Sequence, residues 1–160
     1  MPDTASTLGN LPTGVRHPYT ALLESLPCVA DRRLVEVVEL PAIAAAWRHA
    51  TTNESRELAE LDQATLSYPD FAAHTEISCE LGHEFMNRLL PLRDARILQR
   101  HVEAIENGDA PGSHLIVFGL MLAVFSVPPR QALLDYAQAR LLETDSTPAA
   151  VISTLLDRAA

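Results

Sequence analysis

One hundred and sixty residues suit one domain, large enough to bury roughly 70% of the surface its unfolded chain exposes without metal or disulfide staples. The composition, 48% apolar with 5% aromatic, 21% charged and only six glycines, excludes disordered and fibrous chains and predicts a packed aliphatic protein dominated by helix. The net charge of −9 comes with no arginine stripe, which argues against nucleic acid as a partner; all twelve cations are arginine, so the P-loop lysine, Schiff-base chemistry and a lysine base are excluded together.

Residues 1–16, with Pro2, Gly9, Pro12 and Gly14 among small polar residues, read as a flexible arm preceding an all-helical domain over 17–160. The arm has neither a basic n-region nor an apolar h-region, which predicts a cytoplasmic protein with reduced Cys28 and Cys79. After Pro18, the spacing of Tyr19, Leu22, Leu23 and Leu26 predicts a short helix. Asp31 is placed to cap a second with Leu34, Val37, Val38 and a further candidate, Val35, on its inner face. At Pro41 the chain either kinks or restarts as a third helix through Trp47. A fourth helix starts from Asn53 and carries Leu58, Leu61, Ala64 and Thr65 on one side. A fifth, capped by Asp70, repeats Ala73, Ile77, Leu81, Phe85 and Leu89 every four residues, with Glu76, Glu80, His83, Glu84 and Asn87 opposite.

A sixth helix spans about Leu92 to Glu106, with Ile97, Leu98, His101, Val102 and Ile105 inward and a stop at Asn107-Gly108. Ser113 is placed to cap the next, from His114 to Phe125, which is apolar on every side and therefore the buried centre. The apolar run Leu115 to Val127 is too short for the ~20 residues that span a bilayer, which argues against a membrane partner. Pro128 and Pro129 open an eighth helix through Leu133, Leu134, Ala137 and Leu141, and Val151, Ile152, Leu155 and Leu156 mark a last one after the Thr144–Pro148 break. The fold expected is an all-α, single-domain bundle of about eight or nine short helices.

Glu80-Leu81-Gly82-His83 places a carboxylate and an imidazole on one helix face, as in di-iron bundles, but no second Glu-x-x-His accompanies it and Asn87 stands where a zinc-protease pattern needs histidine. Glu76, Cys79, Glu80 and His83 form the candidate set for a helical metal-binding protein or metalloenzyme, against the plainer reading of a solvated polar face. Cys28 reads as a buried small hydrophobe and His114 as a structural histidine at a helix start. Gly82 and Gly119 sacrifice helix propensity, a cost that close approach of another backbone offsets, whether by packing within the chain or at a subunit interface. The Ser78–Gly82 notch, and Ser126 seven residues after Gly119, suggest tight helix crossings.

Leu11-Pro12-Thr13-Gly14, Glu39-Leu40-Pro41-Ala42-Ile43-Ala44-Ala45-Ala46-Trp47 and Glu57-Leu58-Ala59-Glu60-Leu61-Asp62 occur in an order that resembles the urease accessory protein F (UreF) family. Thr75 to Gly82 resembles that family's Arg-Glu-x-Ser-x-x-x-Gly helix, His114 to Gly119 its histidine-to-Phe-Gly segment, and Ala132 to Tyr136 the start of its following helix. Thr75 stands where arginine is usual, and the chain ends short of the family's C-terminal tail, as in a divergent, shortened member. The resemblance implies a non-catalytic, homodimeric adaptor without cofactor. It would work with a scaffold accessory protein and a GTPase to deliver nickel to apo-urease. It also marks Glu76, Ser78, Gly82, His114, Gly119 and Tyr136 as partner-binding or structural positions. A shortened paralogue serving only as an interaction module is the alternative within the same resemblance.

Overall fold

The computed structural model describes residues 19–27, 32–89, 95–141 and 149–159. The arm over 1–16, Cys28, the Asp31 cap, the Leu92 start of the sixth helix and the Thr144–Pro148 break lie outside the described residues. Within them the secondary structure is helical: α1 (Thr20–Glu24), a composite α2 over 32–51, α3 (Ser55–Leu66), a 3-10 segment (Pro69–His74) leading into α4 (Thr75–Leu89), α5 (Arg96–Glu106), α6 (His114–Val124), α7 (Pro129–Arg140) and α8 (Ala149–Ala159).

Pro41 neither ends nor restarts α2. The helix runs through Arg32–Leu34, a π-turn at Val35–Glu39 and Leu40–Thr51 without a break. An α-helical turn would drive the proline ring into the carbonyl four residues back, and widening that turn avoids the clash; the Leu40 amide reaches back five residues to the Val35 carbonyl. The inserted residue rotates the preceding face, so Val35 is buried and Val37, expected inward, is 48% exposed. It also carries the Glu39 carboxylate into the core.

The long segment of α2 packs most extensively on α6, which is buried from His114 to Leu122 and forms the centre of the molecule. Gly119 permits this crossing: a Cβ there would lie 2.6 Å from the Ala46 Cβ and 2.8 Å from the Ile43 carbonyl oxygen. α4 covers another side of α6, α3 lies against α2 and α5, and α8 rests on α2 and α7. Tyr19 anchors α1, its ring edge-on to Phe118 and its hydroxyl donating to Asp135 Oδ2 at 2.8 Å.

Three helices end in the same reverse turn. After α2, α5 and α6, residues Asn53, Gly108 and Ser126 take positive φ angles of 61°, 82° and 55°. In each case the next amide reaches back to a carbonyl inside the helix: Glu54 to His49, Asp109 to Ala104, and Val127 to Leu122, all at 2.8 Å. Asn53 therefore closes α2 instead of opening α3. Ser126 is an exposed terminating residue and no part of a helix-crossing notch.

Two inward faces differ from expectation. On α4, the buried set is Ser78, Leu81, Gly82, Phe85, Met86 and Leu89, while Ile77, and Ala73 in the preceding 3-10 segment, are exposed. A strict four-residue repeat drifts around a helix of 3.6 residues per turn, and the true stripe follows the three-and-four spacing. On α3, Asp62 is buried beside Leu58 and Thr65, and Ala64 faces water. Asp70 lies within the 3-10 segment and does not cap α4.

Candidate functional site

The N-terminus of α6 is where Ser78, Gly82, His114 and Tyr136, four of the residues singled out in the sequence, come together. An apolar helix buried at its start must satisfy amides that have no partner inside the helix. Ser113 has cap-like backbone angles, but its hydroxyl caps nothing. Neighbouring helices supply the caps instead. Asp62 of α3 accepts the Gly112 amide at 2.9 Å and the Ser113 amide at 3.1 Å, and Ser78 of α4 accepts the His114 amide at 3.2 Å. The carboxylate thus faces the positive end of the α6 dipole. Gly112, with φ of 83°, and Gly82 let this turn press against α4; a Cβ on Gly82 would collide with the Gly112 carbonyl.

From Ser78 a continuous hydrogen-bonded chain crosses the core. Ser78 Oγ lies 2.7 Å from His114 Nδ1, and His114 Nε2 lies 2.9 Å from the Tyr136 hydroxyl. Tyr136 donates to Glu39 Oε1 at 2.6 Å, and Arg140 grips the same carboxylate with Nε at 2.9 Å and Nη2 at 3.0 Å. The proton positions are forced from both ends. Glu39 can only accept, so Tyr136 spends its proton there and must accept from His114 Nε2–H. The Nδ1 atom is then an acceptor, which the Ser78 hydroxyl satisfies while its oxygen takes the His114 amide. Burial, with the Arg140 charge adding to it, pulls the His114 pKa down from 6.5 to about 3, so the ring is neutral as the chain requires. Burial and the Glu39 charge push the Tyr136 phenol well above its ordinary value.

Arg140 donates further to the Pro27 carbonyl at 2.7 Å, tying the segment after α1 to the same cluster. The arrangement joins α2, α4, α6 and α7, and the segment after α1, through side chains that make no exposed nucleophile, and its chemistry is positional. A second buried pair lies beside the α6 cap, where His101 Nε2 sits 3.3 Å from Asp62 Oδ2. Neither His101 ring nitrogen, nor the Ser113 hydroxyl, has a hydrogen-bond partner among the described residues.

Of the residues marked by the resemblance, Ser78, His114 and Tyr136 are joined in this chain, Gly82 abuts the Gly112 turn and Gly119 sits at the α2 crossing. Glu76 is exposed in the first turn of α4 and belongs to none of these contacts. Glu80 is also exposed, Cys79 is half-buried with its thiol pushed up by burial, and His83 Nε2 bonds to the Pro111 carbonyl at 2.9 Å. Among the described residues no three His, Cys, Asp or Glu side chains are arranged to hold a metal ion.

Glu39, Asp62, His101 and Arg140 escaped the sequence reading as site residues. Asp62 carried a legible signal, since it falls in helical register with Leu58 and Thr65. Glu39 interrupts an apolar run just before Pro41, which marks it only once the π-turn is known.

A family model described as UreF matches residues 32–143, which contain every member of the buried chain. No curated protein and no solved structure matches the chain.

Proposed function

This chain belongs to the UreF family, and we propose that it is a non-catalytic urease accessory protein that helps a partner GTPase deliver nickel to apo-urease. The observation that carries the reading is the family match, which covers more than two thirds of the chain and runs from the start of α2 to just beyond α7. In this reading the protein works in the cytoplasm as a homodimer, contacts a scaffold accessory protein and the GTPase, and handles nickel as cargo. Nucleotide chemistry falls to the partner, because a chain without lysine has no Walker lysine to reach a β- or γ-phosphate.

The buried chain suits such a task. An adaptor that aligns two partners must hold its faces at fixed angles. Directional bonds among α2, α4, α6 and α7 restrict sliding between helices more than aliphatic contacts alone would.

The test is urease maturation in cells lacking this gene. Urease apoprotein should accumulate without nickel, and the full chain supplied from a plasmid should restore metal content and activity. Normal nickel content in the deletion strain overturns the reading.

A further inference from the structure

α4 and α5 do not pack closely on one another, and an apolar groove of about 150 Å³ remains between them. Its lining is His83, Met86 and Asn87 from α4 and Val102, Ile105 and Glu106 from α5. Val102 and Ile105 are only half-buried, so the groove presents aliphatic surface to water. One wall is preformed: the His83 ring is fixed by the Pro111 carbonyl and backed by Gly112, where a Cβ would lie 2.6 Å from that ring.

The rim is acidic. Glu106 lines the groove on the α5 side. On α4, Glu80 lies three residues before His83 and therefore beside it on the helix surface. Both carboxylates are exposed, and neither has an ion-pair partner among the described residues. Glu76 and Glu84 stand one turn to either side of Glu80. Glu84 is paired with Arg88 at 2.9 Å, while Glu76 adds a like charge to the row. Like charges four residues apart oppose each other on a helix, and a cation laid across them relieves that repulsion. The chain's net charge of −9 favours the approach of the same kind of partner.

We propose that this groove docks a basic segment of a urease accessory partner, one apolar side chain resting on Met86, Val102 and Ile105 while flanking arginine or lysine residues meet Glu80 and Glu106. The inference rests on the family reading and specifies which face and which partner chemistry carry it. Charge complementarity selects the occupant: an acidic or neutral segment would leave the rim carboxylates opposed or unpaired.

The experiment titrates the purified scaffold protein and GTPase from the same cell, separately and together, into the full chain and into an E80R/E106R variant. Both substitutions are at exposed positions, and circular dichroism verifies that the helices persist. The expected result is binding by the native chain that weakens with added salt and falls at least about tenfold in the variant, with slower amide exchange in residues 80–87 and 102–106 of the native complex. Unchanged affinity in the variant overturns the groove and leaves the family reading standing. Absence of binding by the native chain to the scaffold protein, to the GTPase and to the two together overturns the groove and the adaptor reading together. A homodimer that dissociates in the variant, with partner binding intact, identifies a second copy as the occupant and also overturns the proposal.

Discussion

Glu39 is a fully buried carboxylate, and its three bonds from Tyr136 and Arg140 decide whether it stabilises or wrecks the core. Arg140→Met would strand that charge, at an expected cost of about 3–5 kcal/mol, whereas Glu39→Met/Arg140→Met removes both partners and should cost less than the single change. Urea unfolding of the two variants checks the ordering. His114 gives a pH test with a definite sign. Its folded pKa is depressed to about 3 against 6.5 in the unfolded chain, so between those values the unfolded state binds the proton and the folded state does not. The stabilisation is complete above pH 6.5 and is lost as pH falls towards 3, at a slope approaching about 1.4 kcal/mol per unit. Between pH 7 and 5.5 the native protein should lose stability more steeply than His114→Gln; equal slopes would show that the ring already takes up a proton in the folded state.

At the scale of helices, the register of α2 and the end of α6 show what could be read from sequence and what could not. The apolar pattern located the helices, and the all-round apolarity of His114 to Phe125 marked the central one, because hydrophobic spacing is a local property. The π-turn was hidden, since it balances a proline ring against packing on other helices, and it exchanged Val37 for Val35 on the inner face. The cap of α6 was hidden for a related reason: its acceptors, Asp62 and Ser78, arrive from α3 and α4, and no local motif encodes them. Two substitutions separate backbone from packing effects. Ser126→Gly relieves a left-handed residue at an exposed position and should stabilise by about 1 kcal/mol. Gly119→Ala, which ordinary helix propensity favours, should destabilise by about 1–3 kcal/mol because the new methyl meets Ala46 and the Ile43 carbonyl. Thermal melts of the pair test both signs, and a stabilising Gly119→Ala would contradict the close crossing.

For the whole molecule, composition limited the possibilities and long-range contacts chose among them. The absence of lysine and the aliphatic bias were enough to expect a helical domain without phosphate-loop chemistry. They could not show that Ser78, His114 and Tyr136, spread over 58 positions, line up on Glu39 and Arg140, because such a chain exists only after the helices have packed. The adaptor account predicts a molecule whose rigid interior serves its outer faces, so its decisive test lies in assembly. Size-exclusion chromatography with light scattering on the full chain mixed with the urease scaffold protein and GTPase measures this directly. The account predicts one peak whose mass contains all three polypeptides; three separate peaks at their individual masses would contradict it.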